Sequence, residues 1–186
     1  MIHIVYLLGG NSQRFHKNKL LHPLKQQHLF QYGYDVLLQL VCSRHDCTFT
    51  VVTQYIQIQK LIPEYCILDE ECKKGLSYTI KAALKDIKIN EDDYVMFVVG
   101  DQPFINQKTI NKLIDQMQLS DNLVGCVGYH GQLGNPVIFH GSLIDELMNL
   151  QDDQGGKKVY MKHLDKSMVI EVDNINELYD IDEIDD

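Results

Sequence analysis

Two stretches of the chain combine residue types suited to holding phosphate. Residues 9–21, GGNSQRFHKNKLL, follow a strand-like apolar run and carry two glycines, a small polar pair and three cations. Glycine lets backbone N–H groups approach phosphate oxygens closely, and Asn11 and Ser12 add short donors. Arg14 suits bidentate contact with an oxyanion, whereas Lys19 is a mobile point charge that can neutralise a leaving pyrophosphate. The loop matches neither GxxxxGK[ST] nor GxGxxG, and Gly9-Gly10 is equally compatible with a plain tight exit from a strand. The second stretch is Asp101, directly after YVMFVVG. A carboxylate at the end of a buried strand must be paired, and Mg²⁺ bridging to a triphosphate would pair it. The competing assignment is a helix N-cap, although Pro103 and Asn106 could also start the helix at 106–117.

These residues need a frame that brings strand ends together. The strand candidates are 3–8, 48–52, 65–68, 94–99 and 123–129, short apolar runs without strict alternation. Between them lie segments of helical period. Residues 28–41 place Leu29, Tyr32, Val36, Leu37, Leu40 and Val41 on one face, 76–87 place Leu76, Ile80, Ala83, Leu84 and Ile87, and 107–117 place Ile110, Leu113, Ile114 and Met117. Apolar strands alternating with helices predict a predominantly parallel sheet covered on both faces, a three-layer α/β/α sandwich, with ligands bound beyond the carboxyl ends of the strands.

Composition narrows the function classes. The 186 residues are 45% hydrophobic and 23% charged, and no linker, repeat or low-complexity tract divides them, so 1–186 reads as a single domain. The net charge of −9 is unevenly spread: residues 1–50 carry five basic and two acidic side chains, residues 140–186 four and thirteen. Arg14, Lys17, Lys19 and Lys25 are the only basic cluster, suited to a small polyphosphate and not to a nucleic acid or a membrane. No apolar run reaches the ~20 residues of a membrane span and MIHIVYLL is no secretory leader, which gives a cytoplasmic expectation. Five cysteines with no CxxC pair give neither a disulfide framework nor a zinc site. The eight histidines form no metal-spaced set, and Ser77 and Ser142 lack a hydrolase context. The acidic tail 173–186 could dock through Ile175, Leu178, Ile181 and Ile184.

VYLLGGNSQRFHKNKLL resembles the signature LAAGxSxRMGxxKLL of the molybdenum cofactor cytidylyltransferases, small nucleotidyltransferases related to the molybdopterin guanylyltransferases. Leu7, Gly10, Ser12, Arg14, Lys19, Leu20 and Leu21 stand at matching positions. His16 replaces a glycine, and Gly9 an alanine. Four later segments follow in the family's order: KKGLSYTIKAAL (73–84), VVGDQPFI (98–105), LGNPVIF (133–139) and DDQGGKKVYMKH (152–163), with Asn135 in place of a His and Lys157 in place of an Arg.

The resemblance implies a Rossmann-like nucleotidyltransferase in which the terminal phosphate of molybdopterin or Mo-molybdopterin attacks the α-phosphorus of CTP. It implies catalytic roles for Arg14, Lys19 and Asp101. Nucleotide contacts would come from Leu8, Gly9, Gly10, Asn11, Ser12, Arg14, Lys19, Gly75 and Ser77. The pterin substrate would meet Gln102, Pro103, Gly134, Asn135, Pro136, Asp153 and Gly155. Mg²⁺ or Mn²⁺ would sit on Asp101 and on a residue of the late segment that resembles D-I-D-T-P-E-D-L. Two alignments put that second ligand at Asn176, with Asp180 as the later acid, or at Asp173. Gly9-Gly10 resembles the guanylyltransferase form L-A-G-G, so GTP stands beside CTP. A reading of another class is a non-catalytic protein that binds molybdenum cofactor and delivers it to a molybdenum hydroxylase.

Overall fold

The computed structural model describes residues 1–10 and 18–181. Strand β1 (Ile2–Leu8) is buried at every position, because it lies between two parallel neighbours with helices on both faces. A small hairpin, β2 (Pro23–Leu24) and β3 (Gln27–His28), leads into helix α1 (Leu29–Ser43). Then come β4 (Cys47–Thr53), α2 (Ile56–Leu61), β5 (Cys66–Leu68), α3 (Leu76–Asp86), β6 (Tyr94–Val99) and α4 (Gln107–Gln118). The chain finishes with β7 (Val124–Tyr129), β8 (Gln132–His140), α5 (Ile144–Met148), α6 (Lys157–Tyr160) and β9 (Ser167–Glu171).

The seven-stranded sheet has the order β5-β4-β1-β6-β8-β7-β9, and only β8 runs against its neighbours. Successive β1 side chains serve different layers: Ile4, Tyr6 and Leu8 join the core under α1 and α4, while Val5 and Leu7 join the core under α3, α5 and α6. The expected three-layer α/β/α sandwich with a predominantly parallel sheet is therefore the observed fold.

The inward face of α4 is as expected, with Ile110, Leu113, Ile114 and Met117 fully buried. That of α1 is rotated. Phe30 and Gly33 face inward with Leu29, Leu37 and Leu40, and Tyr32, Val36 and Val41 lie at the margin. The cause is Tyr6, whose hydroxyl donates to Phe30 O (2.8 Å) and would stand 2.4 Å from any Cβ at residue 33. Apolar periodicity does not register a glycine on the buried side. In the tail, Leu178 and Ile181 are buried as expected but Ile175 is exposed, because residues 175–178 form a single 3-10 turn and not a helix. Ile184 lies outside the described residues.

Candidate functional site

Lys19 opens a 3-10 turn (Lys19–Leu21) whose first N–H groups are served by the Asn18 side chain, with Oδ1 accepting from Leu20 N at 3.0 Å. Leu20, two positions into the sequence motif's K-L-L, is buried in the core and fixes the turn. Lys19 Nζ thereby reaches Asp101 Oδ2 at 2.8 Å and Ile181 O at 3.3 Å. Asp101 follows β6 through Gly100, where a Cβ would stand 2.2 Å from Leu8 Cδ2, so β6 exits hard against the end of β1. The N-cap alternative for Asp101 is overturned: Asn106 caps α4, its Oδ1 accepting from Lys108 N at 2.9 Å. Freed from that task, the carboxylate meets a cation at the carboxyl end of a parallel sheet.

Gln102 is almost wholly buried; its Nε2 donates to Asp180 Oδ1 at 2.7 Å while Oε1 has no partner among the described residues. Ile181 N donates to Asp101 O at 3.0 Å. The tail thus joins the Asp101 loop through Asp180 and Ile181. Asp173 and Asn176 are exposed, and Asn176 N is bonded to Asn174 Oδ1. The sequence also contains a literal D-I-D at 180–182. Asp182 itself lies outside the described residues, as do Asn11, Ser12 and Arg14.

The residues assigned to the nucleotide and those assigned to the acceptor meet at one seam. At Gly75 (φ +142°) a Cβ would lie 2.6 Å from Asp152 O and 2.7 Å from Asp153 Oδ1, and Ser77 N donates to Asp152 O at 3.2 Å. The N-terminus of α3 is therefore covered by the 152–156 loop, held by a residue 75 with no side chain and a backbone that favours glycine. Ser77 is fully buried, with its Oγ unpartnered among the described residues.

Beside this seam is a cavity of about 160 Å³. Gly134, Asn135 and Gly155 line it, together with Phe97, Phe139 and Tyr160. At Gly134 a Cβ would stand 2.6 Å from Leu178 Cδ2, so a side chain there would have to displace the Leu178 side chain. Pro136 is buried in β8, a strand absent from the strand candidates above. The Gly-Asn-Pro in this strand and a register shift at Cys126/Val127 hide its β character. Cys126 lines the cavity too, but burial pushes its thiol up, so it is a small apolar wall group and not a nucleophile. Burial likewise pushes Cys72 up to about 11. All five cysteines are free thiols.

Sequence reasoning missed the end of β4. Thr53 Oγ1, Gln54 Nε2 and Tyr55 OH donate to Leu8 O (3.0 Å), Gly9 O (2.9 Å) and Gly10 O (2.9 Å), three consecutive carbonyls at the root of the 9–19 loop. Polar residues after a strand are common, and nothing in TQY marks them. Among the described residues no helix is long and apolar enough to cross a membrane, and no cluster of three or more His, Cys, Asp or Glu could hold a metal ion.

The fold is shared with solved structures. A nucleotidyl transferase from Methanothermobacter thermautotroptrophicus superposes with a TM-score of 0.78 at 17% identity, covering 98% of this chain and 92% of that one. The manganese complex of Rv0371c from Mycobacterium tuberculosis H37Rv superposes with a TM-score of 0.73 at 20% identity, covering 93% and 89%. In sequence, the purine catabolism protein PucB of Bacillus subtilis (strain 168) is 22% identical over 190 residues, 96% of this chain and 90% of its own length. The model of the MobA-like NTP transferase domain matches residues 4–167, a span that holds Lys19, Asp101 and the seam between the GLS and DDQGG loops, and the chain belongs to that family.

Proposed function

We propose that this nucleotidyltransferase transfers CMP from CTP to molybdopterin or Mo-molybdopterin, giving the cytosine dinucleotide cofactor and pyrophosphate. The observation that carries the reading is the Lys19–Asp101 contact, which joins a cationic loop after β1 to a carboxylate after β6 at the carboxyl ends of adjacent parallel strands. Such chemistry needs no covalent enzyme intermediate. Two anions must be brought into line and their charge offset by groups already in place. Arg14, Lys19 and the N–H groups of the loop offset charge on the β- and γ-phosphates, and Asp101 holds the Lys19 ammonium in position between turns.

The donors present fit a hard divalent cation. Lys19 occupies one oxygen of Asp101, the other takes no hydrogen bond among the described residues, and the Asp180 carboxylate is tied to the same loop through Gln102. Mg²⁺ or Mn²⁺ would be held by Asp101, with Asp180 ahead of Asp173 or Asn176 as a second acid, and would supply charge neutralisation on the phosphates. Hard cations of this type accept one or two carboxylates and take their remaining ligands from phosphate and water.

CTP is favoured over GTP because Gly9, the residue that resembles the guanylyltransferase form, has a packing cause. A Cβ there would stand 2.4 Å from Thr79 Oγ1 and 2.9 Å from Cys72 Cβ. The GLS, GDQP and GNPV segments resemble the cytidylyl type. The test is pyrophosphate release with molybdopterin and each nucleoside triphosphate in competition. CTP-dependent release is the expected result. GTP preference overturns the base assignment, and tight pterin binding without turnover of any triphosphate selects a delivery protein instead.

A further inference from the structure

We propose that Gln54, assisted by Tyr55, is a positioning residue that presets a backbone N–H of the 9–19 loop for phosphate; this rests on the reading of that loop as the triphosphate site. The root of the loop is gripped from one side. Thr53 is fully buried, pairs with Leu8 in the sheet, and its Oγ1 both donates to Leu8 O and accepts from Tyr55 N at 3.1 Å. Its carbonyl accepts from Asp69 N at 2.9 Å, so the grip is anchored from the β5 side as well. On that base the next two side chains reach forward to Gly9 O and Gly10 O.

A trans peptide is planar, with its C=O and N–H pointing in opposite directions. Holding Gly9 O against Gln54 Nε2 therefore turns the Gly10 N–H away from Gln54. Gly10 is exposed, with no atom of the described residues within 4 Å of where a Cβ would be, whereas Gly9 is packed against Thr79 and Cys72. Gly10 is thus the first exposed residue of the loop, and the orientation of its peptide is set by a side chain that need not touch the nucleotide. A glycine left to itself has the widest choice of backbone conformation of any residue. Gln54 removes that choice before an anion arrives, which is where preorganised donors gain their effect.

The test uses Gln54→Met, which keeps length and neutrality but cannot donate, and Tyr55→Phe, which removes only the hydroxyl. Pyrophosphate and CTP binding are measured calorimetrically with Mg²⁺, alongside steady-state turnover and thermal melting. Gln54→Met is expected to weaken pyrophosphate binding about tenfold and Tyr55→Phe about threefold, in keeping with one hydrogen bond's worth of affinity. The nucleotide KM rises by the same factors while kcat, the acceptor KM and the melting temperature stay near wild type, a split that a merely structural role would not give. Should Gln54→Met fold poorly, Tyr55→Phe, which removes only a hydroxyl, carries the test. Pyrophosphate affinity within about twofold of wild type in the folded variants overturns the inference. A wild-type protein that binds neither pyrophosphate nor any triphosphate overturns the functional reading and this inference with it.

Discussion

The two ends of the sheet each carry an ion pair, and they are built differently. At the amino end of β4, Arg44 donates to both oxygens of Asp46 at 2.9 Å, to Asp115 at 2.7 Å, to Asn111 at 3.1 Å and to Gln118 at 3.4 Å. At the carboxyl end, Lys19 meets one oxygen of Asp101 and the Ile181 carbonyl. The planar guanidinium is saturated and ties α1, β4 and α4 into one unit. The ammonium is a compact charge on a flexible stem, set against a carboxylate whose second oxygen takes no hydrogen bond among the described residues. The first arrangement suits stability, and the second, at the carboxyl end of a parallel strand, suits the binding role proposed above.

That contrast breaks if the roles cross. Asp101→Ala is expected to lower pyrophosphate release by about a hundredfold or more while leaving the melting temperature near wild type, since one preorganised electrostatic contact commonly accounts for that much. Activity within tenfold of wild type would remove Asp101 from the chemistry. Lys19→Ala should follow at a similar or slightly smaller loss, read as a higher nucleotide KM as well as a lower kcat. Arg44→Ala should do the reverse, costing about 2 kcal/mol of stability in chemical denaturation, between the values for surface and buried pairs, with turnover per folded molecule unchanged.

Gly75→Ala sharpens the comparison from the other side of the active end. It forces a side chain into the Asp152 carbonyl at a positive φ, and should cost about 2 kcal/mol and raise the KM for both substrates, because the two loops proposed to bind them share that seam. A change confined to one substrate would separate the loops. The smallest effect concerns pH. Arg44 beside it holds the Asp46 carboxyl well below the usual carboxylate range, so the pair's contribution is present above about pH 4 and is lost as pH falls toward the depressed folded-state value. Asp46 is part exposed, so solvent screening keeps the term under about 1 kcal/mol. Acid titration of stability should show it in the wild type and not in Arg44→Ala.

Much of this architecture was legible because it is written in burial. Runs such as YVMFVV and the 107–117 stripe must be covered on their apolar sides, and both formed the predicted element. Asp101 was legible for the opposite reason: a charge at the end of such a run demands a partner. Illegible were elements whose character comes from contact alone. β8 carries Gly-Asn-Pro in its middle and becomes a strand only between β6 and β7. The turn at Tyr6 and Gly33 is set by one hydroxyl, and the Thr53-Gln54-Tyr55 grip by three donors whose acceptors lie 45 residues away. In the tail, the contacts of Asp180 and Ile181 with the Asp101 loop are likewise set by tertiary packing and leave no mark in the local sequence.

The bond between Lys19 and Ile181 O spans 162 residues, and that between Lys19 and Asp101 spans 82. During synthesis the cation is therefore made long before either of its partners. A growing chain can pair β1 with β4 early, yet Lys19 gains its carboxylate only after β6 has emerged and its carbonyl only when residue 181 has been added. Contacts of such long sequence separation form late in folding. The nascent chain thus acquires its core in stages, whereas the Lys19–Asp101–Ile181 contacts close only after residue 181 has been made.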